Sequence, residues 1–365
     1  MRTPTRRSRA KVTIDDVALR AGVSAMTVSR VVNAEKNVHP ATRELVLKVV
    51  RELNYAPNLA ARSLAKADDI RIGLIYSNPS AAYLSEFLVG ALDESTSRGA
   101  QLLLVKSGGT DAAASRGAVK RLIDGGVTGV VLTSPLAESK LVDDSLRAAD
   151  IPRVGVATGR FRGEVTCVRV DDQRAAYDMT KLLLALGHRR IGFIKGHPAQ
   201  TACADRLAGF EQAIAEKPGC QVETAQGYFT FDSGLDASEQ LLDSPLKPTA
   251  IFASNDDMAA ATVSVAHRRG LDVPNDLTVV GFDDTAVATT LWPALTTVRQ
   301  PVSSMVAMAI DLLLQEIRAS RDGTIWQPVD CVVEHTIIER HSTAPPRAEA
   351  RRAPGEPIRR RSSPG

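Results

Sequence analysis

At 365 residues the chain is long enough for more than one domain, and with 44% hydrophobic and 24% charged residues it has the material for a buried core. No run approaches the roughly 18 consecutive apolar residues of a membrane span, and no apolar segment follows the basic N-terminus as it would in a secretory signal. The net charge of +3 conceals an asymmetry: residues 1–66 hold thirteen Lys/Arg against five Asp/Glu, residues 341–365 hold six Arg against two Glu, and the stretch between is acidic by nine charges. A basic head can neutralise phosphates while an acidic body has no electrostatic reason to approach them. A solvated basic face is the plainer reading, and charge alone does not separate the two. Cys167, Cys203, Cys220 and Cys331 are scattered without CxxC spacing, which fits reduced thiols of a cytoplasmic protein better than a metal site.

Residues 1–11 carry five basic and no acidic residues and are expected to form a disordered arm. From Thr13 a helical pattern begins. Thr13 and Asp16 make a capping box, and Ile14, Val17, Ala18 and Ala21 form one apolar stripe. Gly22-Val23 breaks this helix and Ser24 can cap a second. There Val28, Val31 and Val32 face inward, while Ala25, Met26, Ser29, Arg30 and Asn33 share the opposite face. A third helix starts at Pro40, after a His39 that caps less well than Ser or Thr, and is expected to bury Leu45, Val46, Val49, Val50 and Leu53. Three short helices with a tight turn after the first predict a helix-turn-helix, whose second helix lies in the DNA major groove.

These residues carry a specific resemblance. ValThrIleAspAspValAla (12–18), GlyValSer (22–24), ThrValSerArgValValAsn (27–33), ThrArgGlu (42–44) and LeuAsnTyrAlaProAsn (53–58) look like the lactose-repressor/galactose-repressor family of bacterial transcription regulators. The resemblance implies base-edge contacts from Ala25, Met26 and Arg30, with Thr13, Ser24, Thr27, Ser29, Asn33, Thr42 and Tyr55 fixing position on the DNA backbone or packing. Ala25 and Met26 offer no base-edge hydrogen bonds, so thymine methyls and shape are their readout and Arg30 is the polar reader. Residues 57–66 are helix-prone but short. In the resembled family this hinge becomes helical on operator DNA, which implies a minor-groove wedge from Leu64 with Asn58 and Ala61 beside it.

Beyond Arg71, apolar runs at 71–76, 101–105, 129–132, 153–156, 191–194, 250–253 and 278–282 alternate with helical stretches. They predict parallel sheets covered on both faces, with a ligand beyond the carboxyl ends of the strands. The fold class is therefore α/β with an all-α head. The family resemblance extends over 70–340 and implies two periplasmic-binding-protein-like lobes, one of 70–168 and 302–327, the other of 169–301 and 328–340, with an effector between them. ArgLeuAlaGlyPhe (206–210), SerAsnAspAsp (254–257) and GlyPheAspAsp (281–284) are among the matched stretches. Carried over position by position, Arg206 and Asp283 are the effector ligands and Phe229 stacks on it, with Asn255, Asn78 and Tyr83 lining the cleft. Such a set suits a hydroxyl-rich ring. Singly, Phe229 reads as core and Arg206 and Asp283 as a structural pair. Replacing Arg206 or Asp283 by alanine is expected to abolish the response while preserving the fold.

No P-loop, GxSxG elbow or HExxH is present, the six histidines are dispersed, and SerAsnPro follows Tyr76 where a dinucleotide site needs glycines. No catalytic residue, cofactor or metal is expected. The expectation is a cytoplasmic homodimeric repressor of carbohydrate genes, nucleoid-associated through palindromic operator DNA and released by a sugar-like effector. A co-repressor logic with a nucleobase or sugar acid stays open, as more distantly does a sugar-binding protein or enzyme of similar fold. Residues 341–365, with five Pro and six Arg, are expected to be disordered.

Overall fold

The computed structural model describes residues 12–32, 38–53, 55, 70–76, 80–107, 111–159 and 163–347. They divide into two units, residues 1–69 and 70–365.

In the first unit, helices α1 (Ile14–Ala21), α2 (Ala25–Val32) and α3 (Pro40–Glu52) enclose a small core in which Val17, Val28 and Val46 are fully buried. The caps follow the sequence chemistry. Thr13 Oγ1 accepts from Asp16 N at 3.3 Å, and Asp16 Oδ2 accepts from Thr13 N at 2.8 Å. Those bonds to the carboxylate hold the Asp16 acid below its ordinary range. Gly22 ends α1 in the left-handed conformation (φ 64°), from which its N–H reaches Ala18 and Leu19 carbonyls. Ser24 Oγ accepts from Thr27 N at 3.1 Å to start α2. His39 makes no side-chain cap bond. One expected core residue is misplaced: Leu45 is 46% exposed, because the buried stripe of α3 is narrower than its apolar pattern and centres on Val46 and Val49.

The second unit contains two six-stranded sheets. The first runs β11 (Asp330–Val333), β5 (Thr166–Val170), β4 (Arg153–Val156), β3 (Gly129–Thr133), β1 (Arg71–Tyr76) and β2 (Gln101–Lys106), all parallel. Helices α4 (Ala81–Ser97) and α12 (Val302–Arg321) cover one face through Phe87, Ile310 and Leu313. Helices α5 (Ala112–Asp124) and α6 (Lys140–Ala148) cover the other through Val119, Leu122 and Leu146. The second sheet runs β12 (Thr336–Ile338), β10 (Thr296–Arg299), β9 (Thr278–Asp283), β8 (Ala250–Ala253), β6 (Arg190–Lys195) and β7 (Gln221–Gln226), with only β12 antiparallel among these strands. It lies between α7 (Asp172–Ala185) with α8 (Thr201–Ala215) and α9 (Phe231–Asp243) with α10 (Asp256–Arg268). A short α11 (Ala286–Thr290) precedes β10. With both faces covered, strands such as β3, β8 and β9 are buried at every position and apolar through their middles.

The chain crosses between the lobes three times, after β5, after β10 and after β11. Two expected boundaries are corrected by this topology. Residues 328–333, assigned to the second lobe with 334–340, belong to the first. β11 adds to the edge of β5, where Arg169 grips Asp330 through two 2.9 Å bonds and Trp326 Nε1 donates to Thr166 Oγ1. The strand β5 likewise carries the first lobe through residue 170 rather than 168. Residues 341–347 of the tail expected to be disordered are ordered, and the rest of it lies outside the described residues: Ser342 is fully buried, its hydroxyl donates to Val279 O at 2.6 Å, and Ala344 N donates to Thr278 Oγ1. His188 anchors the same segment, with its ring nitrogens 2.9 Å from Thr249 Oγ1 and 3.0 Å from Ala344 O. Burial lowers its pKa, so it serves as a neutral hydrogen-bonding group rather than a cation at the helix end.

Candidate functional site

On the head, α2 presents Met26, 65% exposed, and Arg30 on its outer surface, with Ala25 and Ser29 half-buried beside them. Thr13 and Ser24 are exposed at helix N-termini and occupied as caps, and Thr27 bonds back to Ser24. Thr42 is half-buried on α3, and Tyr55 rests against the head's core. Asn33, Asn58, Ala61 and Leu64, and with them the expected hinge, lie outside the described residues.

In the body, one cavity opens beyond the carboxyl ends of both sheets. Its lining comes from each lobe in turn. Ser80 and Tyr83 start α4, Thr133 ends β3, and Ser134 and Ala157 follow strands of the first lobe. Gln200, Ala202 and Arg206 come from the start of α8, Phe229 follows β7, Asn255 follows β8, Asp283 ends β9 and Gln300 follows β10. Five of the six residues expected at the effector site therefore meet: Tyr83, Arg206, Phe229, Asn255 and Asp283. Asn78 lies outside the described residues.

Their roles differ from the simple expectation. Arg206 is 5% exposed and engaged by protein: Nε donates to Asp172 Oδ1 at 2.7 Å, Nη1 donates to Ser254 O, and its guanidinium carbon sits 3.5 Å from the centre of the Phe282 ring. Asp283 Oδ1 is 3.7 Å from Nη1, so the guanidinium lies between two buried carboxylates. Arg206 is thus first a structural group, one edge of which faces the cavity. Asp172 and Asp283 both have raised pKa values, since desolvation outweighs the opposing field of Arg206. Asp283 also accepts from Gln300 Nε2 at 2.6 Å. Its φ of 111° and that of Phe229, 62°, are conformations that non-glycine residues rarely adopt. Asn255 has its side chain spent on structure: Oδ1 caps α10 through Met258 N, and Nδ2 holds the Phe229 carbonyl at 3.1 Å.

Three buried polar atoms on this lining lack a hydrogen-bond partner among the described residues: Tyr83 Oη, Thr133 Oγ1 and Gln300 Oε1. Leaving such groups unmade costs roughly 1–3 kcal/mol each, so their convergence points to a ligand that satisfies them. Burial, then the charge of Asp283, pushes the Tyr83 phenol upward, which keeps it a neutral donor. Thr133, Gln300, Ser134, Gln200 and the supporting Asp172 were not anticipated from sequence. A lone Thr or Gln at a strand end has no pattern, and only the topology brings these ends together. Among the described residues no cluster of His, Cys, Asp and Glu suits a metal ion, and no helix is long and apolar enough to cross a membrane.

Residues 13–58 match the family described as bacterial regulatory proteins, lacI family, and residues 180–343 match a periplasmic binding protein-like domain. Catabolite control protein A of Priestia megaterium is 34% identical over 336 residues, covering 91% of this chain and 99% of that relative. The HTH-type transcriptional repressor PurR of Vibrio atlanticus (strain LGP32) is 34% identical over 333 residues, 90% of this chain and 98% of the relative. Among solved structures, the Lac repressor dimer bound to operator and the anti-inducer ONPF has a TM-score of 0.76 at 27% identity, covering 92% of this chain and all of the other. The transcriptional regulator CelR in complex with cellobiose has a TM-score of 0.66 at 30% identity, covering 91% and 100%.

Proposed function

The chain belongs to the lacI family of bacterial regulatory proteins and is a DNA-binding transcription repressor, and we propose that it acts as a homodimer whose grip on a palindromic operator is released by a neutral, hydroxyl-rich effector bound between its lobes. The observation that carries the effector class is the trio of unpartnered atoms on Tyr83, Thr133 and Gln300 beside Asp283. Donors and acceptors spread around one cavity, with Phe229 also in its lining, match vicinal hydroxyls on a sugar. Among the described residues the lining offers no cation free of a protein carboxylate, since Arg206 is held by Asp172, which favours an uncharged ligand over an anion. The CelR relative is seen with a sugar, cellobiose.

On DNA, Ala25, Met26 and Arg30 are proposed to contact the major groove, Thr13, Ser24, Thr27, Ser29, Asn33, Thr42 and Tyr55 to fix position on the backbone or pack, and Leu64, flanked by Asn58 and Ala61, to wedge the minor groove. Dimerisation through the body is supported by Val89, Leu92 and Met308, which leave exposed apolar surface on the packed pair α4 and α12. Operation in the cytoplasm follows from the same reading, and chemistry at the cavity forms no part of it.

The test is a thermal-shift screen of the full chain against mono- and disaccharides including cellobiose, glycosides, sugar acids and nucleobases. A neutral sugar present at about 100 times its Kd should add roughly 2.7 kcal/mol of stability. Stabilisation by sugar acids or nucleobases alone overturns the effector class.

A further inference from the structure

The two lobes of the body are bridged at two places beside residues that line the cavity. At one of them Ser80, the cap of α4, donates its hydroxyl to Asp257 Oδ2 at 2.7 Å. At the other a single carboxylate does more. Glu138, in the 3-10 turn Leu136–Glu138 after β3, reaches from the first lobe to the start of α8 in the second. Its Oε2 accepts from Thr201 Oγ1 at 2.6 Å and from Thr201 N at 3.2 Å. Its Oε1 accepts from Gly159 N at 3.1 Å and Ser134 Oγ at 3.2 Å, both in its own lobe.

Helix α8 needs this partner. Gln200 occupies its N-cap position and makes no side-chain cap bond, so the first-turn amide and the positive end of the helix dipole are met by a carboxylate from the other lobe. The same helix delivers Arg206 to the cavity five residues on. Gly159 shows how tight the closure is. A Cβ there would lie 2.2 Å from Thr201 Cγ2 and 2.4 Å from Thr201 Cβ, so the first lobe's backbone rests directly on the threonine. Glu138 itself lies in the exposed rim, where solvent screens the contact enough for it to open reversibly.

We propose that Glu138 is a latch: a positioning residue that holds the lobes closed over the cavity by capping α8 across the cleft, and so sets how often the cleft opens. The proposal rests on the reading of that cavity as the effector site and adds its regulation. A helix cap's free energy corresponds to roughly a 2- to 30-fold change in the closed-to-open ratio.

The test is amide hydrogen exchange on the full chain without added ligand, comparing wild type with Glu138→Ala. Opening of the cleft predicts exchange faster by a factor in that range at Thr201 and Gly159 and, at the second bridge, at Tyr83, whose amide donates to Ser80. Acceleration confined to the first turn of α8 is local fraying, and this result, like unchanged rates everywhere, overturns the latch. Should Glu138→Ala fail to fold by circular dichroism, Thr201→Val removes the hydroxyl while keeping the amide, and the same pattern at both bridges is required of it. A ligand screen without hits would sink the effector reading and leave these exchange rates unaffected, so the two failures are distinguishable.

Discussion

Replacing Arg206 by alanine should destabilise the body as well as silence it. The guanidinium and Asp172 are 5% exposed each, joined at 2.7 Å, and the charge also covers the Phe282 ring. Removing one member of a buried pair strands the other, which typically costs about 3–5 kcal/mol. At roughly 2–4 °C per kcal/mol for a large domain, the midpoint should fall by about 10 °C. The pair itself is no large net gain, since desolvation keeps the Asp172 acid above its ordinary range even beside Arg206. Without Arg206 that acid rises further. A carboxyl whose folded pKa lies above its unfolded value contributes stability at low pH that is lost as pH rises through the folded value, so the defect should be smaller at pH 5 than at pH 8. Adding Asp172→Asn removes the stranded charge and should recover part of the loss. Urea unfolding followed by tryptophan fluorescence reads the body alone, because Trp292 and Trp326, the two tryptophans, both lie there. A cost under about 1 kcal/mol with no pH trend, or no recovery in the double variant, would refute the structural role of Arg206.

Asp283→Asn keeps an acceptor for Gln300 and removes a carboxyl that already resists ionisation; calorimetry should show effector binding lost, with the unfolding midpoint unchanged or raised. Asp256, buried and bonded by Thr285 and Thr297, has its pKa raised by desolvation to about 7. Its contribution to stability is full below the unfolded value near 4 and disappears as pH rises towards 7, so Asp256→Asn should flatten the pH dependence of the midpoint between pH 5 and 8. Arg30→Ala should weaken operator binding by roughly 5- to 150-fold and relax preference at one base pair per half-site, measured by anisotropy at fixed salt; Leu64→Ala should weaken it without altering effector affinity. Gly159→Ala, which drives a methyl into Thr201, should prevent full closure and lower effector affinity while Asp283's environment and the fold persist, a pairing that calorimetry and circular dichroism check together.

Local chemistry made the head readable: capping residues, a glycine stop and apolar residues at helical spacing state where helices begin, end and face. Leu45 departs from that reading because an apolar residue at the margin of a stripe is buried only if a neighbour reaches it. In the body, long apolar strands announce themselves, while β11, a short edge strand with exposed residues such as Val332, does not reveal which sheet it joins. Ser342 reads as part of a Pro/Arg-rich tail, yet one backbone bond to Val279 and two bonds of its hydroxyl, to Val279 and Thr296, order it. At the cavity, resemblance brought out Arg206, Phe229 and Asp283 but not that Arg206 is committed to Asp172. Pairing between residues 34 positions apart is a property of how α7 packs on α8, and nothing local encodes it.

On the proposed function, occupancy of the cavity governs the grip of the head on DNA. Operator recovered by selection from random duplexes should be palindromic, and its affinity for the full chain is then measured by anisotropy at one salt concentration with and without the sugar that stabilises the protein. Operator affinity should be at least 10-fold weaker at saturating sugar, a coupling of about 1.4 kcal/mol or more. Sugar binding that leaves operator affinity unchanged would contradict control of the head by the cavity.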